Sequence, residues 1–294
     1  MIPVQEAHAV IRACIPSPRV TSAAVSEAQG RILAEDILAP FALPRFDNSA
    51  MDGFAVRWED TRKAGEDRPV VLTQLGTVSA GQPASMKVGS GDCAQVMTGA
   101  PIPAGADAVV MVEYTSGYSE NDRVEVRRPV RKGENIRFEG EEIQAGEAVL
   151  TAGSRIGPAE MGILAAFGRQ QVNLYNRPRV ALLVTGTELK DAGETLGQGE
   201  IYNSNLPLLE DLVHRAGGKI ISSGAVQDDP ASMGSFMEKA LGSCDFLISS
   251  GGVSAGRFDL IREVAQGLDV KERFHRVAQK PGKPLFFATA GETL

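Results

Sequence analysis

Phe246-Leu-Ile-Ser-Ser-Gly-Gly-Val-Ser-Ala-Gly-Arg-Phe-Asp259 is the stretch on which the reading of the fold turns. Its first three residues form a short apolar run of strand character. Small residues then take over: Ser249, Ser250, Gly251, Gly252, Ser254 and Gly256. Beyond Asp259 the apolar residues Leu260, Ile261, Val264 and Ala265 return at helical spacing. A strand that enters a helix through such a loop leaves backbone N–H groups and the positive end of the helix dipole free to meet an anion. The same residues also read as a plain βα turn with Asp259 as N-cap.

The neighbouring segments decide what kind of sheet this strand belongs to. Residues 179–184 read as a strand that runs into Thr185-Gly-Thr-Glu188. A helix is expected from Ser204 to Ala216, stopped by Gly217-Gly218, and a strand over 219–222. Asp229 is placed to cap a further helix, with Pro230 at its first position. Strands that alternate with helices predict a doubly wound parallel α/β/α sandwich. Ligands of such sheets bind beyond the carboxyl ends of the strands. Three loops fall there: Thr185 to Glu188, Asp228/Asp229, and 249–256. Their convergence favours one pocket, with Thr185, Gly186, Ser249, Ser250, Gly251, Gly252, Ser254 and Gly256 as its small-residue wall.

Charge divides between two sets of residues. Glu188, Asp228 and Asp259 are hard oxygen donors, better suited to Mg²⁺ than to zinc. Lys271, Arg273, Arg276, Lys280 and Lys283 form a basic run in a chain of net charge −7. Lys280-Pro-Gly-Lys-Pro284 stiffens two ammonium groups, which suits an oxyanion, although a solvated loop has the same composition. A Mg²⁺ ion between carboxylates and a phosphorylated ligand would reconcile the two sets. No G-x-x-x-x-G-K-[ST] occurs, and no G-x-G-x-x-G follows the first strand of this sheet.

The rest of the chain has a different texture. Residues 3–14 place Val4, Ala7, Val10, Ile11 and Cys14 on one helical face, and 25–37 reads as a second amphipathic segment. From about 57 to 150, short β-prone runs alternate with Gly, Pro, Asp and Asn clusters, which predicts a small all-β domain. A helix follows over 157–168, with Pro158 in its first turn and Gly168 past its end. The 294 residues leave room for two or three domains, and 43% hydrophobic with 23% charged residues is ordinary globular composition. The acidic balance argues against a general nucleic-acid surface. No apolar run approaches the roughly 20 residues of a membrane span. Three scattered cysteines and three histidines in no ligand spacing suggest neither disulfides nor zinc, and with no signal peptide the expected compartment is the cytoplasm.

Six motifs in order carry a family resemblance. They are Asn48-Ser-Ala-Met-Asp-Gly-Phe-Ala-Val56, Met97-Thr-Gly-Ala-Pro-Ile-Pro103, Gly133-Glu-Asn-Ile136, Val184-Thr-Gly-Thr-Glu188, Ser250-Gly-Gly-Val-Ser-Ala-Gly256 and Lys280-Pro-Gly-Lys-Pro284. Over nearly its whole length the chain resembles the MoeA family of molybdopterin molybdenumtransferases, related to the C-terminal part of gephyrin. The resemblance implies a segmented linker domain (1–45 and 146–174), a β-rich domain (46–145) and a molybdopterin-binding α/β domain (175–294). A C-terminal β-barrel and a Gly-Leu-Pro-Gly-Asn-Pro loop are also family features, so the chain is expected to be truncated.

The implied reaction inserts molybdate into adenylylated molybdopterin, releases AMP and requires Mg²⁺. The resemblance assigns functional positions to Asp52, Thr98, Glu188, Asp228, Asp259, Lys280 and Lys283; on charge alone, Arg276 is a further candidate to hold the oxyanion. Glu142 falls where the family often has Asp and is expected on the metal side, one methylene longer. It further implies a homodimer in which Asp52 and Thr98 complete the partner's pocket, and a contact with molybdopterin adenylyltransferase. Two other readings stand beside it: a gephyrin-like scaffold that binds molybdopterin without turnover, and the adenylyltransferase itself.

Overall fold

The computed structural model describes residues 1–118, 122–251 and 260–294. The chain opens with α1 (Val4–Cys14) and β1 (Val20–Ala24), then passes through β2 (Gly53–Val56), β3 (Val70–Val78), β4 (Asp92–Val96), β5 (Ala108–Met111) and β6 (Arg123–Val126) to α2 (Pro158–Ala166). There follow β7 (Gln171–Tyr175), β8 (Arg179–Thr185), α3 (Asn205–Arg215), β9 (Lys219–Val226), α4 (Pro230–Leu241), β10 (Phe246–Ser250), α5 (Leu260–Gln266), β11 (Lys271–His275) and β12 (Phe286–Thr289). One compact unit gathers Met1–Glu35, Gly153–Met161 and Gln170–Leu294, and the other gathers Asp36–Ala152 and Gly162–Arg169.

The first unit is built on a parallel sheet of order β9-β8-β10. Strand β8 lies in the middle, and its residues from Val180 to Thr185 are all buried, as expected of a strand covered on both faces. Alternation along β8 sorts its side chains. Leu183 packs with Met233 and Met237 of α4 and with Ile261 and Ala265 of α5. Val180 and Leu182 point the other way, onto Val213 and Leu209 of α3. Helices therefore cover both faces, and the doubly wound sandwich read from the sequence is the fold observed. Asp229 caps α4 as its spacing indicates, its Oδ1 accepting from the N–H of Ala231 and Ser232 at 3.0 Å each. Strands β9 and β10 run longer than the residues 219–222 and 246–248 expected for them.

The same unit carries α1, whose Ala7 packs on Phe274 and Val277 beside the antiparallel β11–β12 hairpin. The segment 25–37 is not the amphipathic helix its spacing suggests. Only Val25–Glu27 makes a helical turn. The N–H groups of Gly30, Leu33 and Ala34 donate instead to Ile156, Ser154 and Asn173 (2.7–2.9 Å), so distant chain satisfies donors that a helix would have used internally. Its apolar residues still bury: Leu33 and Ile37 are fully enclosed.

The second unit holds the expected β-rich domain, a five-stranded sheet of order β5-β2-β4-β3-β6. Both faces are buried. Phe54, Val56, Leu72, Val110 and Val124 fill one side, and Ala55, Val78, Val96 and Val109 the other. Ala148–Leu150 pairs with Ile37–Leu38 and stays outside this sheet. At the start of the inner strand β2, a Cβ on Gly53 would collide with the Val110 carbonyl and stand 3.0 Å from the Met111 Cα. The clash is with backbone, which cannot swing aside. Gly53→Ala is therefore expected to cost about 1–3 kcal/mol of stability, the range for overpacking, read as a lower urea midpoint; an unchanged midpoint would contradict the packing argument.

Candidate functional site

Because β8, β9 and β10 run parallel, their carboxyl ends share one edge, with Thr185 opposite Val226 and Val184 opposite Ser250. Thr185 is buried, and its Oγ1 has no hydrogen-bond partner among the described residues. A buried hydroxyl left unpaired costs about 1–3 kcal/mol, which makes the position notable. Gly251 follows β10 with φ +95°, and a Cβ there would come within 2.7 Å of Thr185 Oγ1. Only glycine lets the backbone approach Thr185 so closely. Gly186 is buried beside them, its N–H donating to the Val226 carbonyl at 3.2 Å.

The sequence-predicted residues Thr185, Gly186, Ser249, Ser250 and Gly251 are thus brought together at one edge. Gly252, Ser254, Gly256 and Asp259 lie outside the described residues. Sequence reasoning missed Asn205, whose Nδ2 donates to Ser250 Oγ at 3.0 Å. Its only signal was its place at the start of the helix that follows the Glu188 loop.

Two carboxylates follow the same edge. Glu188 and Asp228 are both exposed, three residues beyond Thr185 and two beyond Val226. Asp229, not Asp228, performs the capping, and the Asp229 carboxyl is held below its ordinary value first by Ser232 and then by Ala231. No group of three or more metal-ligating side chains forms among the described residues.

A cavity of about 550 Å³ adjoins Ser249, Ser250 and Gly251. Leu183, Ile261 and Phe286 make its wall apolar. The chain enters this lining at Pro284, directly after Lys283. Lys280 and Lys283 are exposed on a tight loop tied by Val277 N–H to the Lys283 carbonyl (3.0 Å) and by Gln279 Nε2 to the Gly282 carbonyl (3.2 Å). Arg276 is half-buried at φ +73°. Part of the basic run has structural work: Arg273 Nε donates to Thr289 Oγ1 at 3.1 Å.

In the second unit, Asp52 and Thr98 are both exposed and meet directly. Asp52 Oδ1 accepts from the Thr98 N–H at 2.7 Å and from its hydroxyl at 2.8 Å. The loops that carry them are joined by backbone bonds: Ser49 N–H to the Ala100 carbonyl (2.9 Å) and Gly99 N–H to the Ser49 carbonyl (2.8 Å). Glu142 is exposed in this unit too, its N–H donating to the Leu43 carbonyl at 3.0 Å.

Residues 2–168 match the MoeA N-terminal region (domain I and II), and residues 181–293 match a probable molybdopterin binding domain. Molybdopterin molybdenumtransferase 2 of Mycobacterium tuberculosis is 37% identical over 286 residues, covering 96% of this chain and 70% of the relative. Molybdopterin molybdenumtransferase of Nostoc sp. is 40% identical over 262 residues, covering 89% of this chain and 60% of the relative. The chain therefore spans 60% to 70% of the length of these two curated relatives. The crystal structure of the molybdopterin biosynthesis moeA protein from Pyrococcus horikoshii OT3 superposes with a TM-score of 0.84 at 34% identity, over 98% of this chain and 72% of that one. Sequence motifs, matched regions and fold agree, and the chain belongs to the MoeA family.

Proposed function

We propose that this protein inserts molybdate into adenylylated molybdopterin, with release of AMP, in the cytoplasmic synthesis of molybdenum cofactor. One observation carries most of the reading. The buried Thr185 hydroxyl without a described partner stands against the close backbone of Gly251, at the carboxyl edge where parallel sheets bind ligands. A phosphorylated pterin suits this place. The serine rim and the lysine loop supply polar and cationic groups for phosphate and molybdate. The cavity of about 550 Å³ has the volume and apolar wall of a small-molecule site. Residues 1–45 with 146–174, 46–145 and 175–294 are then the linker, β-rich and molybdopterin-binding parts.

Mg²⁺ fits the donors at the edge. Glu188 and Asp228 are exposed oxygen ligands after adjacent hydrogen-bonded strands, and Asp259 and Glu142 are further candidates. The lack of a three-ligand cage among the described residues suits an ion that keeps waters and shares substrate phosphate. When bound, Mg²⁺ would neutralise phosphate charge. Lys280, Lys283 and Arg276 would hold molybdate and the phosphate oxygens in register, and Ser249 to Gly251 would fix the pterin side.

Asp52 and Thr98 complete the site from a second copy of the chain, in a homodimer that also contacts molybdopterin adenylyltransferase. Their mutual hydrogen bonds fix the carboxylate while leaving it exposed, as a contributed group requires. Mixing Asp52→Asn with Glu188→Ala protein is then expected to restore activity, because one of the two sites in each heterodimer is intact; mixtures as inactive as the parents would refute a shared site. With adenylylated molybdopterin, molybdate and Mg²⁺, the protein is expected to release AMP. Tight binding without AMP would mark a non-catalytic scaffold, and consumption of ATP would mark an adenylyltransferase.

The same contact sets a pH dependence. The Asp52 carboxyl is held below its ordinary value of 3.8, first by the Thr98 N–H and then by the Thr98 hydroxyl. A depressed carboxyl stabilises the fold above its ordinary value, and the contribution is lost as pH falls through the lower folded value. Thr98→Val removes the hydroxyl and keeps the N–H. NMR titration should find the Asp52 value raised in that variant yet still under 3.8; a wild-type value at or above 3.8 would contradict the geometry.

A further inference from the structure

At the opposite, amino ends of the same parallel strands lies a smaller cavity of about 140 Å³. Arg31, Arg155, Tyr175, Arg177 and Arg215 line it, and none of its lining residues is acidic. Four separate segments meet to form it, and backbone bonds hold them. Ile32 bridges Arg155, Ile156 N–H donates to the Arg31 carbonyl (2.9 Å), and Tyr175 N–H donates to the Ile32 carbonyl (2.9 Å). Lys219 N–H reaches the Pro178 carbonyl at 2.8 Å. A Cβ on Gly30 would stand 4.0 Å from Arg155 Nη2, so that guanidinium lies over the Gly30 turn.

Four arginines line this one small space, three of them exposed, and their like charges favour an anion between them. Arg215 is accounted for: its Nε pairs with Asp211 Oδ2 at 2.6 Å, and it occupies the last turn of α3, where the helix dipole favours a cation. The other three are not. Arg31, Arg155 and Arg177 enter no ion pair among the described residues. Arg31 donates from Nη2 to the Tyr175 carbonyl at 3.0 Å, which anchors it, while its buried Nε has no partner among the described residues. That this cluster persists in a chain of net charge −7 sharpens the contrast.

We infer that the arginine-lined cavity at the amino ends of β8 and β9 binds a tetrahedral oxyanion of the phosphate class. The size selects the ligand. At about 30 Å³ per water the space holds roughly four or five waters, enough for one oxyanion and well short of the about 300 Å³ at which sites for larger ligands begin. Planar guanidinium forks match such an ion by paired N–H donors. The inference is independent of the activity proposed above.

Calorimetric titration of the whole protein with inorganic phosphate, at constant ionic strength in chloride, tests it. Wild-type protein should bind phosphate saturably at this site. Arg155→Gln/Arg177→Gln should weaken that binding by about tenfold for each guanidinium lost. Both arginines are exposed, and an unchanged circular dichroism spectrum would confirm that the variant folds. Lys280→Ala/Lys283→Ala should keep this binding, which separates it from the carboxyl-edge site. No saturable binding, or equal binding by the arginine variant, overturns the inference. Glycerol 3-phosphate in place of phosphate distinguishes the sources: comparable affinity indicates the phosphoryl group of a larger molecule, and phosphate alone indicates the free ion.

Discussion

Arg179 holds Asp245 across the amino ends of β8 and β10, through its backbone N–H (2.7 Å to Oδ2) and a fork from Nε (3.3 Å) and Nη2 (2.9 Å). The Arg179 hydrogen bond keeps the Asp245 carboxyl below its ordinary value, so the pair is charged at neutral pH. Because the strands are parallel, this anchor favours the register that continues through Val180 opposite Phe246 to Val184 opposite Ser250. A slip of one residue would turn Leu183 away from α4 and α5 and toward α3. The apposition of Gly251 with Thr185, on which the candidate site depends, is thus set partly by an ion pair at the far end of the strands.

Parallel topology also separates two surfaces of opposite character. Strands end, and helices begin, at the carboxyl edge, which collects glycine, serine and threonine together with two exposed carboxylates. Helix α3 ends at the amino edge, where Arg215 of its last turn and three further arginines line the smaller cavity. Each edge can receive an anion by different means. One offers backbone approach and small hydroxyls, and the other offers paired side-chain donors.

Much of this was legible in the sequence. Asp229-Pro230 announced a capped helix, residues 179–184 announced a strand of a doubly wound sheet, and the small residues after β10 announced a close backbone approach. Segment 25–37 was not legible, because its helical spacing of apolar residues is equally satisfied by irregular chain whose N–H groups reach Ile156, Ser154 and Asn173. Asn205 escaped for a related reason: its partner Ser250 is 45 residues away, and only the fold brings the two within 3.0 Å. The arginine cavity draws on residues 31, 155, 177 and 215, a spacing with no local pattern at all.

The motif from Asn48 to Phe54 separates structural from chemical demands residue by residue. Asn48 is buried, with Nδ2 donating to the Phe46 carbonyl at 3.1 Å, and Ser49 is buried with its hydroxyl bonded to the Met51 carbonyl. Gly53 answers to the Val110 backbone, and Phe54 fills the sheet core. Even the Asp52 carbonyl is occupied, accepting from Val112 N–H at 3.1 Å. Its carboxylate is different. It is exposed and bonded only at Oδ1 by Thr98 among the described residues, so Oδ2 retains acceptor capacity. Packing accounts for the residues around Asp52, and the bonds from Thr98 engage one of its two carboxylate oxygens. An ionised oxygen held by two hydrogen bonds fixes the carboxylate in place, while its second oxygen keeps the capacity to accept a further donor.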